Sequence, residues 1–471
     1  MMFSQPEIMI LLPLIGCLFA LTSAKNTLNA FNVTVFTLVS NILVMLKLFS
    51  LIDISNPSLQ LRQSYEWISE FNLRTTYGVD AFSLILLLGI YISVIIALIG
   101  LKTEDKNNKS LMLLTLYYVW NITGFFSAGD IVSFYGFFAG MLLPLFMLVG
   151  LFGYSQRISL YRFFMYNFVG IITLLPAIII LYKFFNGNVL LSEITFVHMN
   201  KRIGMLVWFA VCLSFISRIP VWPFHHWISS VISGLKNPLV YTIANLMPLV
   251  GIYGFVRFWP LSVPETVEIL VPIIETFAII TMIFIALIAF ATQQFFYKIF
   301  SYTTIYYMLF LLAVILPTDI LKMNIAYSCF IFLIVTSSLV VLDTELKTKS
   351  EEQNCDYATI LQNTPKLAKT LCFFALIAMG LPISSLFWSN FVLVSAIFRQ
   401  NFIVGVLVMF AIAMVAVVLM NELLSMFSKK SEIQQKFKIE DISTAKLLFL
   451  VSIILLLLLS FFNPLWFVFK E

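Results

Sequence analysis

Long apolar segments follow one another along almost the whole chain, separated by short polar stretches. Hydrophobic residues make up 61% of the 471 residues, and charged residues make up only 11%. A bilayer core requires roughly 20 consecutive apolar residues per helix. Backbone N–H and C=O groups in lipid must be paired within the protein, so these segments are predicted to be helices rather than open sheets. The sequence therefore predicts an all-α polytopic membrane protein.

The apolar segments number about fourteen, and their limits define the predicted membrane spans. We place these spans at residues 8–24, 30–51, 79–101, 110–128, 130–152, 161–184, 203–219, 238–258, 266–290, 298–316, 323–342, 370–397, 402–425 and 445–468. The polar segment 52–78 contains several aromatic residues and is predicted to pack on the membrane surface. The charged segment 343–369 is predicted to be a solvated loop with a short amphipathic piece. The uninterrupted array indicates a single transmembrane domain over residues 1–471.

Residue types that bind cofactors are scarce and scattered along the sequence. The five cysteines form no Cys-x-x-Cys pair, and three histidines are too few and too spread for a metal site. The glycine patterns that cradle nucleotide phosphates are also absent from the sequence. We therefore expect no cofactor in this chain and no pump driven by ATP within it. The net charge of +5 is spread over the flanks of the spans, so nucleic acid is not an expected partner.

Two of the predicted spans contain proline where a helix should continue. Pro220 and Pro223 follow Arg218 at the end of one span, and Gly380-Leu381-Pro382 lies inside another. Proline removes a backbone hydrogen bond and clashes with the preceding turn. Broken helices at membrane depth often line ion or substrate pathways, whereas an ordinary kink would explain a single break. Because there are two breaks, a transport function and a purely structural role both stay open at this point.

Several motifs, in order along the chain, resemble those of one known family. The longest runs from Ser217 to Trp227 (SRIPVWPFHHW) and continues at residues 251–258 (GIYGFVRF). The shorter motifs are Tyr77-Gly78-Val79-Asp80, residues 134–144 (FYGFFAGMLLP), residues 163–166 (FFMY), residues 301–308 (SYTTIYYM) and Gly380-Leu381-Pro382. Together they resemble the antiporter-like membrane subunits of respiratory complex I, of the subunit M or mitochondrial subunit 4 type, and the related Mrp-type cation/proton antiporters.

This resemblance implies both a fold and a function. The implied fold has about fourteen transmembrane helices with two proline-broken helices and antiporter-like inverted repeats. Its core would lie at about residues 110–425, with peripheral helices at 1–109 and 445–471. The implied function is that of a membrane subunit through which protons cross, driven by quinone chemistry in partner subunits. The chain would then lie in a bacterial inner membrane or a mitochondrial inner membrane, without a redox centre of its own.

The chain departs from this family at the positions where the resemblance places the proton relay. Ala139 and Leu249 stand where the family has a glutamate and a lysine, and Arg218 replaces another lysine. Tyr307 replaces a histidine, and Asn390 replaces a second glutamate. A relay in lipid requires ionisable side chains that take up and release protons, which arginine does not do at ordinary pH. The proton path of this chain is therefore predicted to be impaired, which leaves a structural or coupling role.

Some polar residues remain as candidates for an ion pathway, and each of them has a structural alternative. The candidates are Arg218, His225, Lys298, Tyr307 and Asn390. Arg218 can act as an anchor that reaches toward water or a backbone carbonyl. His225 can cap or pack beside Pro223, and Lys298 and Glu422 are both predicted to be solvated groups near helix ends.

Three functions stay open from the sequence. The first is a membrane subunit of complex I or a complex I-like assembly with other membrane subunits as partners. The second is an Mrp-type cation/proton antiporter subunit that uses a rearranged set of groups. The third is a structural subunit of another membrane complex. Neighbouring genes for quinone-reductase subunits would favour the first function, and genes for small Mrp-type subunits would favour the second.

Overall fold

The fold consists mainly of long helices. The computed structural model describes residues 6–22, 28–71, 73–153, 157–185, 187, 190–194, 200–225, 227, 231, 235, 237–259, 264–292, 294–315, 319–382, 384–428 and 440–459. Its helices are α1 (Pro6–Thr22), α2 (Leu28–Phe49), α3 (Ala81–Gly100), α4 (Thr103–Lys106), α5 (Lys109–Ser127), α6 (Ile131–Gly140), α7 (Leu142–Phe152), α8 (Arg157–Phe184), α9 (Lys201–Ile216), α10 (Pro238–Asn245), α11 (Met247–Phe258), α12 (Pro264–Ala291), α13 (Phe295–Ile315), α14 (Asp319–Gln353), α15 (Tyr357–Asn363), α16 (Pro365–Ala378), α17 (Ser385–Gln400), α18 (Phe402–Ser428) and α19 (Thr444–Leu459).

The length and apolar character of these helices confirm a polytopic helical membrane protein. Within the described residues, nine helical segments are long and apolar enough to cross a membrane. Shorter apolar helices lie at Pro6–Thr22, Arg202–Ile216 and Lys446–Leu455. The number of fourteen spans stays a prediction, and the last predicted span continues beyond Leu459 into residues outside the described part of the chain.

The described chain forms two compact units. The first comprises Met1–Tyr91, Leu101–Leu235 and Ile243–Ala278. Polar caps start two of its helices: the Asn108 side chain accepts a hydrogen bond from the Leu111 N–H at 3.3 Å, and Asp130 accepts one from the Ser133 N–H at 2.8 Å. The core of this unit is aromatic, with contacting rings at Phe125, Phe134, Phe138, Phe215, Phe255 and Phe258.

A β-hairpin in the first unit corrects the prediction of an all-α protein. Strand β1 (Gln60–Ile68) pairs antiparallel with β2 (Leu73–Val79) inside the segment that the sequence placed on the membrane surface. The carboxylate of Asp130 accepts a hydrogen bond from the Thr76 N–H at 2.7 Å and so holds β2 at the start of α6. Threonine, tyrosine and tryptophan along both strands favour this extended conformation.

The second unit comprises Ile92–Gly100, Lys236–Thr242 and Ile279–Glu471. Helix α14 packs within it against α13, α16 and α17. The prediction of a solvated loop at residues 343–369 is wrong, because α14 continues to Gln353 and is followed by α15 and α16. Leu346, Ile360 and Leu361 in these helices are buried, so the segment is not a solvated loop. The prediction of a single transmembrane domain is not tested by the division into two units.

Both proline-containing segments lie between helices in the described structure. Helix α9 ends at Ile216, and the chain continues in turns through Pro220 and on to His225. Helix α16 ends at Ala378 and α17 begins at Ser385, with Gly380 between them at φ +81°. This left-handed conformation favours glycine because a side chain would collide with the backbone. Whether these segments interrupt helices at membrane depth stays a prediction.

Candidate functional site

Arg218 is held in the first unit by uncharged partners. It lies in the turn after α9 and is fully buried. Its Nη2 donates to the Phe138 carbonyl at 2.8 Å, and its Nη1 donates to the Met247 sulfur at 3.2 Å. The guanidinium carbon also lies 3.7 Å from the centroid of the Phe138 ring. The expectation that Arg218 reaches a backbone carbonyl is confirmed.

This set of partners differs from the carboxylate that usually accompanies a buried cation. Among the described residues, Arg218 forms no ion pair with a carboxylate. Tyr118 is the nearby titratable group, and its buried hydroxyl has no hydrogen-bond partner within the described structure. The carbonyl, the thioether and the aromatic ring offset part of the free-energy cost of burying the guanidinium. The cation is thus fixed in place by groups that do not accept a proton at ordinary pH.

The two positions where the relay residues were predicted to be lost carry apolar side chains. Ala139 on α6 follows directly after Phe138, whose carbonyl Arg218 uses, and it is partly exposed. Leu249 on α11 is completely buried. His225 lies in the turn after Pro223 and is also buried. Its role in packing or in proton transfer stays a prediction.

A second charged cluster in the first unit was missed from the sequence. Arg257 forms a bidentate ion pair with Asp80, with Nη2–Oδ1 and Nη1–Oδ2 distances of 2.8 Å. Arg257 Nε donates to the Tyr253 hydroxyl at 2.8 Å, and that hydroxyl donates to the Phe126 carbonyl at 2.7 Å. Asp80 and Arg257 belong to two of the motifs that carry the resemblance. Their presence in these motifs was the signal from which the cluster could have been predicted. The 177 residues that separate them concealed the contact.

Close packing explains the glycines that accompany this arginine. A Cβ atom on Gly254 would lie 2.4 Å from the ring of Phe215, and one on Gly251 would lie 2.7 Å from the Phe215 carbonyl oxygen. Both distances are shorter than van der Waals contact. Glycine at these two positions therefore lets α11, the helix that carries Arg257, approach α9 closely.

Lys298 and Glu422 form an ion pair in the second unit. Lys298 Nζ donates to the Glu422 carboxylate, and the two side chains are only 9% and 13% exposed. The prediction that these residues are solvated is therefore wrong. Lys298 lies near the start of α13 and Glu422 near the end of α18, and the two largely buried charges compensate each other.

The other two candidates in the second unit are neutral groups in an aromatic environment. The Tyr307 ring packs on Phe332 with a centroid distance of 5.1 Å. Asn390 Nδ2 donates to the hydroxyl of Tyr306, the residue next to Tyr307, at 3.2 Å. The structure thus brings Asn390 to Tyr306 rather than to Tyr307. Neither contact supplies a charge that could be exchanged.

Comparison with known proteins assigns the chain to a family. The model of the NADH:quinone oxidoreductase/Mrp antiporter transmembrane family matches residues 128–416. The chain belongs to this family. NADH-ubiquinone oxidoreductase chain 4 of Marchantia polymorpha is 26% identical over 413 residues, which are 86% of this chain and 83% of the relative. NADH-quinone oxidoreductase subunit M of Rickettsia conorii is 25% identical over 469 residues, or 94% of each chain.

Solved structures share the same fold at lower identity. A chain of respiratory complex I from Thermus thermophilus with bound NADH superposes with a TM-score of 0.85, at 21% identity over 98% of this chain and 96% of that one. A chain of the Mrp complex from Dietzia sp. gives a TM-score of 0.76, at 16% identity over 97% of this chain and 49% of that one. The fold is therefore that of the complex I antiporter-like subunits.

Proposed function

We propose that the chain is a membrane subunit of a proton-translocating NADH:quinone oxidoreductase or of a complex I-like assembly. Its role there is structural or coupling, and its own proton path is impaired. It contributes no redox centre, holds no cofactor and takes no part in catalysis. Its partners are other membrane subunits and the lipid bilayer, in a bacterial inner membrane or a mitochondrial inner membrane, with no nucleic acid involved.

The observation that carries this proposal is the set of partners of Arg218. A relay cation has to exchange a proton with a neighbouring group, and its usual partner in lipid is a carboxylate. Arg218 donates instead to the Phe138 carbonyl and the Met247 sulfur and lies on the Phe138 ring. The adjacent Ala139 supplies no acid, and Leu249 supplies no second base. Among the described residues, none of these partners of Arg218 would carry a proton further.

The finer architecture is part of the proposal. It has about fourteen transmembrane helices, two of them broken at Pro220 and at Pro382, arranged as antiporter-like inverted repeats. The core comprises about residues 110–425, with peripheral helices on both sides of it in the sequence. The turns after α9 and the interval between α16 and α17 support this arrangement, since both contain the prolines.

A cation/proton antiporter subunit of the Mrp kind is the second candidate. The buried Lys298–Glu422 pair favours it, because a proton taken up by the Glu422 carboxylate would change the net charge of a buried site. A structural subunit of another membrane complex is the third. The membrane-bound sulfane sulfur reductase, one chain of which superposes with a TM-score of 0.78 at 18% identity, is a complex of that kind.

Purification from native membranes distinguishes these functions. The full chain carries an affinity tag, the membranes are dissolved in a mild detergent, and the co-purifying subunits are identified by mass spectrometry. We expect quinone-reductase subunits and NADH:quinone reductase activity in the purified fraction. Small Mrp-type subunits without that activity would establish the second function instead. A complex with neither set of subunits would leave the third.

A further inference from the structure

Asp343 is a buried carboxylic acid in the second unit that lies outside every motif of the family resemblance. It is on α14 and is 2% exposed. Among the described residues, no donor lies within hydrogen-bonding distance of its Oδ1 atom. A buried carboxylate without hydrogen bonds is costly as an anion, whereas the protonated acid is not. Asp343 therefore differs from Glu422, whose charge is paired with Lys298.

Two opposing influences act on the charge of Asp343. Lys347 lies one turn further along α14 and favours the anion by its positive charge. Among the described residues, the titratable groups that interact with Asp343 are Tyr241 on α10, Lys347 on α14 and Tyr357 on α15, and Tyr357 also interacts with Glu351 and Glu422. Burial disfavours the anionic form of Asp343, which the positive charge of Lys347 favours.

Three polar side chains, which we call the ladder, extend from this acid toward the exposed end of its helix. Asp343, Lys347 and Glu351 are spaced four residues apart, so they lie on one face of α14. Exposure rises along them from buried Asp343 through half-buried Lys347 to exposed Glu351. With a rise of about 1.5 Å per residue, the ladder covers about 12 Å. Tyr357 on α15 interacts electrostatically with both Asp343 and Glu351 and thus faces the ladder from beside it.

We propose that Asp343 is a proton-exchanging site, reached from the exposed end of α14 along Lys347, Glu351 and Tyr357. The exchange breaks and forms only the O–H bond of the carboxylic acid, and the proton passes between Asp343 and the aqueous phase. The site is separate from the family relay positions. The proposal does not depend on whether the chain acts as a coupling subunit or as an antiporter.

Dicyclohexylcarbodiimide tests this proposal, because it reacts with protonated carboxylic acids in apolar surroundings. The full chain in its native complex is treated over a range of pH, and the modified peptides are quantified by mass spectrometry. We expect Asp343 to be modified, and the modification to fall as pH rises because the acid loses its proton. Asp80 is the internal control for reagent access, since both of its carboxylate oxygens are paired with Arg257.

Two variants complete the experiment. Lys347→Met removes the charge that favours the anion, so the fall in Asp343 modification should shift to higher pH. Asp343→Asn abolishes the modification, and its infrared spectrum minus that of the unchanged complex should show the loss of one protonated-carboxyl band at low pH only. The infrared measurement needs no access for the reagent. Modification no greater than that of Asp80, modification independent of pH, or an unchanged carboxyl band would each overturn the proposal.

Discussion

The ion pair between Asp80 and Arg257 allows a quantitative prediction about stability. Both of its N–O distances are 2.8 Å, and the side chains are only 4% and 13% exposed. Removing one partner of a buried pair leaves an uncompensated charge and typically costs about 3–5 kcal/mol. Arg257 would keep its bond to the Tyr253 hydroxyl at 2.8 Å, so we expect the lower end of that range for Asp80→Asn. A loss of about 3 kcal/mol corresponds to roughly a hundredfold change in the unfolding equilibrium.

A double-mutant cycle measures this coupling. The free energy of unfolding of the full chain in mixed micelles is determined by detergent-denaturant titration for Asp80→Asn, Arg257→Met and the double variant. The double variant should be less destabilised than the sum of the single variants, by about 2–3 kcal/mol, because it contains no unpaired charge. The exposed Arg74–Glu66 pair of the hairpin is the control, and Arg74→Ala should leave the transition in place.

Additive effects of the two single variants would contradict the coupling. Agreement of the double variant with their sum to within about 0.5 kcal/mol would mean that Asp80 and Arg257 act independently. In that case the contact between the two motifs would not stabilise the first unit.

Two further changes have defined expectations in the same unfolding measurement. Gly254→Ala should lower the free energy of unfolding by about 1–3 kcal/mol, because the added Cβ would lie 2.4 Å from the Phe215 ring. Gly136→Ala is its matched control, since nothing lies within 4 Å of the added Cβ, and it should be neutral or stabilise by up to about 1 kcal/mol. Lys298→Met should cost about 3–5 kcal/mol, and adding Glu422→Gln should recover most of that loss. Equal stability of Lys298→Met and the unchanged chain would show that the pair is solvated after all.

Helical membrane structure could be predicted from the sequence because it depends on local composition. Segments such as residues 402–420 are apolar throughout, and the structure has α18 there. The β-hairpin was missed because residues 60–79 mix polar and aromatic side chains, which also occur at membrane surfaces. Its strands are specified by pairing, such as Tyr65 opposite Thr75, and by the Asp130 contact to β2. Neither contact is visible in one stretch of sequence.

The candidate site was predicted in part, for a related reason. Arg218 is a cation in an apolar segment that contains no acid. The sequence therefore predicts that its side chain finds a neutral acceptor such as a backbone carbonyl. The identity of that carbonyl, Phe138, depends on how α6 packs near the turn after α9. The error on Lys298 has the same origin, because its partner Glu422 lies 124 residues away. Long-range pairing of charges is not encoded in spacing, so a single sequence does not reveal it.

Proton flux through the chain itself tests the impaired proton path most directly. The full chain is reconstituted into liposomes, a membrane potential is imposed, and internal pH is followed with a trapped dye. We predict the same flux as in protein-free liposomes, since Arg218 contacts a carbonyl, a thioether and an aromatic ring within the described part of the chain. A flux above that background, abolished by Arg218→Gln and preserved in Leu249→Met, would contradict the impaired path and establish transport through this subunit.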